Sequence, residues 1–210
     1  MAPVLRFDRR AVDRDGSLLA VVAPERVAAA LGSGLPRATI EGLMASPRVR
    51  RRVAALLRSR LAIGDRRAVP PAVVAFLTDW PRGRLIAAAT LLGLAARLRR
   101  QGPLLVKEDL RRLALHHGEA TVSGALELTS RVPPAMANGD GVDGDQSAVD
   151  AALLADGLAM LRNWAAARFG ADASWIEAAL PPVNGNATLE GVCAPDLVDR
   201  ALALVGRGSA

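Results

Sequence analysis

Apolar residues recur along this chain at spacings of three and four, and no series of strictly alternating apolar and polar positions stands out. The pattern predicts helices. From Pro47 to about Ala62, Val49, Val53, Leu56 and Leu57 share one face, with Leu61 at its edge. Arg48, Arg50, Arg51, Arg52, Arg58 and Arg60 cover much of the remaining surface of that segment. Between Leu85 and Leu98 the apolar residues Leu85, Ile86, Ala89, Leu92 and Leu98 point inward. The middle of this segment is apolar all round, so it belongs at the centre of a core. Leu110, Leu113 and Ala114 keep helical spacing in the next segment, and Glu119 to Thr129 continues as helix. Val149, Leu153, Leu154, Leu158 and Leu161 then form the inner face of a long helix.

Prolines and glycines punctuate this pattern. Proline is tolerated at the first helical position, where its missing N–H would have no partner, and glycine favours the end. Pro24 thus opens a short helix closed by Gly32 or Gly34. Ser46 caps the Arg-rich helix, Pro47 starts it and Gly64 ends it. Pro70-Pro71 starts a brief helix through Leu77. Asp79 caps the next one, which stops at Gly102. Pro103 begins a helix that Gly118 ends, with Glu108 and Asp109 in its first half, where the helix dipole favours acids. Ser147 caps the long helix, with Asp150 three residues on as a partial capping box, and Gly170 ends it. Trp175 to Leu180 forms one short turn or helix, and Pro195 opens the last helix, to about Val205.

Residues 131–147 break the pattern with Pro, Gly, Asn and Asp, and read as a loop. The expected architecture is all-α: a single multi-helix domain with this acidic loop before its C-terminal helices. Its parts are a basic helical part at 1–130, the flexible loop at 131–147, and helices at 148–210 packed on the same core.

Composition narrows the class. With 51% hydrophobic residues, disorder throughout is excluded. With Cys193 as the only cysteine, so is a disulfide scaffold. The mean hydropathy of +0.22 fits either an Ala-rich helical core or apolar surface kept for partners. The uncharged run Leu85–Ala96 spans about 18 Å as helix, against a bilayer core of about 30 Å. The first ten residues are charged and lack a signal-peptide pattern, so the expected location is the cytoplasm.

Charge divides the chain. Residues 1–112 hold 22 basic and 9 acidic groups, a balance of +13; residues 113–210 hold 5 and 12, a balance of −7. Such a bipolar molecule steers acidic partners, phosphates or anionic lipid to its basic face. Lys107 is the only lysine, so part of the arginine content reflects GC-rich codon usage.

Motifs for chemistry are missing or weak. A P-loop needs Gly-Lys-Ser/Thr, and Lys107 is followed by Glu108. No G-x-G-x-x-G follows a strand, and no G-x-S-x-G elbow exists. His116 and His117 are adjacent, hence about 100° apart on a helix, a poor spacing for metal; they suit a helix C-terminus instead. Asn138, Asp140, Asp143 and Asp145 miss the calcium-loop spacing and read as a solvated loop. Cys193 has no His or basic neighbour and reads as an inert thiol. Trp80, Trp164 and Trp175 suit packing, or one of them an interface. No catalytic, cofactor-binding or metal-binding residue is expected. The arginines at 48, 50, 51, 52, 58 and 60 are the candidate partner-binding face. The same basic half leaves open a helical DNA-binding regulator, although bases would find few aromatics to stack on: three Trp, three Phe and no Tyr.

Several features occur in a telling order. Leu5-Arg6-Phe7 stands near the start. Trp80-Pro81-Arg82-Gly83-Arg84-Leu85 enters an apolar helix containing Leu91-Leu92-Gly93-Leu94. Leu110-Arg111-Arg112-Leu113-Ala114-Leu115-His116-His117-Gly118 follows. Gly157-Leu158-Ala159 then leads through Leu161 and Trp164 to Trp175 and Leu180-Pro181. This order resembles the SctK (YscK) family, the accessory subunit of the type III secretion sorting platform, over most of the chain except the acidic loop. The resemblance implies a non-enzymatic, mostly helical, cytosolic adaptor peripheral to the inner membrane. Its implied partners are the scaffold subunit of the platform and the cytoplasmic domain of the inner-membrane ring. It supplies no catalytic residues, cofactor or nucleic-acid partner.

Overall fold

Every regular element among the described residues is helical. The structure, a computed structural model, describes residues 17–32, 35–63, 68–102, 107–133, 146–182 and 195–207. In chain order the helices are α1 (Ser17–Val21), α2 (Pro24–Leu31), α3 (Arg37–Ala45), α4 (Pro47–Arg60), α5 (Pro71–Asp79), α6 (Arg82–Gln101), α7 (Lys107–His117), α8 (Glu119–Thr129), α9 (Gln146–Phe169), α10 (Ala173–Ala179) and α11 (Pro195–Arg207). A 3-10 turn at Gly170–Asp172 follows α9.

These helices group into two compact units. One holds the residues up to Pro81 together with Phe169–Pro182; the other holds Arg82–Arg168 and α11. This grouping runs differently from the divisions at 131–147, because α11 packs on α6 and α8 from before that stretch, while α10 returns to α1 and α5.

In the first unit, Leu18, Val21, Val27, Val53, Leu57, Val73, Leu77, Trp175 and Ile176 are buried together. Each such side chain contributes about 1.5–3 kcal/mol by leaving water. The returning segment is fastened by its backbone: Ala23 N–H donates to Ala178 O at 2.8 Å, and Arg26 Nε donates to Leu180 O at 2.8 Å. Phe76 and Phe169 add a tilted ring contact, 5.4 Å between centroids. Burial pulls the Arg26 pKa below its ordinary value, and Glu177, 3.4 Å from the guanidinium, partly offsets this.

Proline at the first turn marks α2, α4 and α5, as the sequence predicts. Ser46 holds the extended cap conformation before α4 and its carbonyl accepts from Arg50 N–H, but its hydroxyl makes no cap hydrogen bond. The Arg-rich helix ends at Arg60, two residues short of the expected Ala62. Ala62 turns left-handed (φ 51°), Leu61 N–H donates to Leu57 O, and Ile63 N–H reaches back to Arg58 O at 3.1 Å. That is the Schellman pattern with alanine where glycine is preferred. The predicted stop, Gly64, lies outside the described residues. Helices α1 and α3 were not expected; α3 carries only a thin apolar stripe, Ile40, Leu43 and Met44, none of it buried.

The second unit is built on α6, where Leu91–Ala96 are all buried and α8 and α11 pack against it. The inward residues expected on α6 are buried except Ile86, which is half-buried. Two expected caps are corrected. Asp79 is the last residue of α5, so its backbone is helical, and a cap requires a non-helical one. Ser147 is already inside α9, which starts at Gln146, and Asp150 bonds other partners instead of closing a capping box. Between α7 and α8 the turn needs φ 88° at Gly118, a conformation glycine adopts at little cost. The helix start expected at Pro103 lies outside the described residues.

Candidate functional site

The arginine face sits on α4 in the first unit. Arg48, Arg52, Leu56 and Arg60 follow one another four residues apart and are all exposed, forming a single ridge along the helix. Arg50 and Arg51 flank it and are exposed too. None of these arginines has an acidic partner among the described residues. Leu56 was expected on the inner face but is 37% exposed, and Leu43 on the neighbouring α3 is similarly open. The ridge thus mixes cationic groups with apolar surface. Arg58 stands apart: it is half-buried, and its Nε and Nη2 are buried without a hydrogen-bond partner among the described residues.

A second cluster lies in the other unit. α7 ends on His116 and His117, and α9 brings Asp150 to them. His116 Nε2 stands 2.7 Å from Asp150 Oδ2, and His117 Nε2 stands 3.7 Å from Oδ1. The two rings meet edge to face with centroids 4.7 Å apart. Gln146 Nε2 donates to Asp150 Oδ1 at 2.8 Å. Donor atoms of His116, His117 and Asp150 all lie within 4.8 Å of one another.

The electrostatics of this cluster are specific. Burial pushes the His117 pKa below its ordinary value; Asp150 pulls the other way, while His116 and Arg97 add to the lowering. For Asp150, burial opposes ionisation. Hydrogen bonds from His116 and Gln146 and the fields of both imidazoles outweigh it, so the carboxyl is held below the usual range.

The position of the pair at a helix C-terminus is as expected. Adjacent on α7, the two histidines nonetheless both reach Asp150. Nε2 lies far out on the ring, so the tips approach one carboxylate although the Cβ atoms diverge. Sequence reasoning missed the cluster because its third member comes from another helix, beyond residues 131–147.

Other polar pairs in the second unit serve its packing. Arg100 Nη2 meets buried Asp156 at 2.7 Å. Trp164 Nε1 donates to Asp199 at 3.0 Å, with the Arg168 guanidinium 5.5 Å over the indole. Arg200 pairs with Glu127 beside an open groove of about 460 Å³ on α6, α8 and α11. Trp164 and Trp175 are buried, and Trp80 is half-buried. The acids of the expected loop at 138–145, and Cys193, lie outside the described residues. No helix among the described residues is long and apolar enough to cross a membrane. Comparison with protein-family models, with curated proteins and with solved structures returned no match.

Proposed function

We propose that this chain is a non-enzymatic adaptor of a bacterial type III secretion system. It links the scaffold subunit of the sorting platform to the cytoplasmic domain of the inner-membrane ring. The observation that carries the reading is the α4 ridge, whose exposed arginines find no acid of their own chain among the described residues. Cations held on a rigid helix and left unpaired gain little for folding, since exposed ion pairs contribute only about 0–1 kcal/mol even when made. They are well placed to meet an acidic partner, where complementary charge sets on-rate and orientation. Leu56 within the row supplies the apolar contact that a purely electrostatic steering patch lacks. The order of segments, which resembles that of the SctK family, supports the same reading and suggests the partners.

The test is co-expression with the scaffold subunit of a sorting platform from the same genome, followed by size-exclusion with light scattering. A DNA mobility shift serves as control. The reading predicts a complex of defined mass that weakens as salt rises, with no DNA shift. No complex, together with salt-dependent DNA binding, overturns it in favour of a regulator that neutralises phosphates with the same arginines.

A further inference from the structure

We infer that His116, His117 and Asp150 form a binding site for one divalent transition-metal ion of the zinc type, tying the end of α7 to α9. The inference is independent of the adaptor reading. Its first support is convergence: one donor atom from each residue lies within 4.8 Å of the others. In a tetrahedral zinc site with bonds of about 2.0–2.1 Å, neighbouring ligand atoms stand about 3.3 Å apart. The imidazole-to-carboxylate distances are 2.7 Å from His116 Nε2 to Asp150 Oδ2 and 3.7 Å from His117 Nε2 to Oδ1, so each ring faces its own oxygen of the one carboxylate. Donor atoms spread over as much as 4.8 Å close on an ion by side-chain rotation of up to about 1.5 Å.

The second support is His117 Nε2, which is buried and has no hydrogen-bond partner among the described residues. A buried polar atom left in this state is costly, and a metal ion on its lone pair removes the cost. The third is the chemistry of the set. Two imidazoles and one carboxylate favour zinc and its neighbours over calcium or magnesium, which take oxygen ligands. Imidazole ligates through the lone pair of its neutral form. Gln146, donating to Asp150, is the outer partner that orients the carboxylate. Access is open, because the His116 side chain is 46% exposed and Asp150 36%, leaving room for water as the remaining ligand.

On binding, His116 exchanges the hydrogen bond to Asp150 for a bond to the ion. Any proton on Nε2 moves to Nδ1 or is released to solvent. Binding therefore weakens as pH falls and protons compete with the ion for its ligand atoms.

The chain has only two histidines, so their imidazole resonances report the site directly. The experiment titrates Zn²⁺ into the untagged, chelator-treated full chain and follows both ring signals by NMR, with stoichiometry from calorimetry. The expected result is saturation at one ion per chain, with both rings moving in step. His117→Gln and Asp150→Asn, checked for unchanged helicity, should each weaken Zn²⁺ at least about a hundredfold, the upper end of what losing even an outer-shell partner costs. The wild-type NMR titration needs no variant to fold. Excess Zn²⁺ that moves neither ring, or only one, overturns the inference, as does an affinity unchanged in both variants.

Discussion

A Cβ added to Gly157 on α9 would stand 2.9 Å from Ala89 Cα on α6, and closer still to the Ala89 carbonyl. Gly93 on α6 makes the matching approach to Leu153, whose Cα would lie 3.2 Å from an added Cβ. The two helices therefore touch backbone to backbone, each contributing a glycine where the other presents main chain. Helix propensity alone favours alanine over glycine by about 1 kcal/mol at such positions. The crossing reverses that sign, because main chain cannot move aside as a flexible side chain does. Gly157→Ala and Gly93→Ala should each destabilise the protein by about 1–3 kcal/mol or more, read from urea midpoints. A neutral or stabilising result in both would show that α6 and α9 do not approach as described.

Buried Asp156 takes its counter-charge from Arg100 at 2.7 Å. Removing one partner of a buried pair leaves an uncompensated charge, so Arg100→Met should cost about 3–5 kcal/mol. Replacing both, as Arg100→Met with Asp156→Leu, should cost clearly less than either single change suggests. A double-mutant cycle with no coupling would contradict the pairing.

Ala62 occupies the left-handed position that closes α4. An L-residue there carries a penalty of about 1–2 kcal/mol that glycine avoids. Ala62→Gly should therefore stabilise the protein, by about 1 kcal/mol once the greater entropy of unfolded glycine is subtracted. A lower melting temperature would contradict the Schellman closure.

The left-handed closure at Ala62 was not legible in the sequence, where Gly64 marked the stop, but the helix starts were. Helix starts marked by proline, at Pro24, Pro47 and Pro71, were readable because proline fixes φ and needs no donor. The central helix was readable because six successive buried residues leave no polar face. Exact ends were not: Asp79 and Ser147 are good caps by type, yet Asp79 is the last residue of α5 and Ser147 lies inside α9. Helix α3 escaped notice because it buries little, and burial is what imprints periodicity on a sequence. The arginine ridge was visible as a run, but which arginine turns inward depended on where α4 packs, and Arg58 does. The His116–His117–Asp150 cluster was invisible, since its members are 34 residues apart in sequence and meet only in the fold.

Acid should weaken the fold in two steps, measured in the presence of chelator. The folded-state pKa of His117 lies below its ordinary value. Below about pH 6.5 the unfolded chain therefore binds the proton more readily, and stability falls with pH until the folded group also protonates. Asp150, with its pKa also lowered, contributes stability that is complete above the ordinary carboxylate range. That contribution is lost as pH falls below about 4 toward the folded value. Urea midpoints from pH 8 to 3 should show the upper step in the wild type and not in His117→Gln. An identical upper step in both would contradict the assignment.

The proposed recognition through α4 makes the sharpest demand. The measurement is the association rate with the sorting-platform scaffold subunit, at low and high salt, for the wild type and for a variant carrying Arg48→Glu, Arg52→Glu and Arg60→Glu. All three arginines are exposed, so the variant's stability should change little, by about 0.5 kcal/mol or less per site. The predicted result is an association rate at least about tenfold slower at low salt, with the difference between proteins shrinking as salt rises. An unchanged rate and unchanged salt dependence in the folded variant would contradict the assignment of the α4 ridge as the partner-binding face.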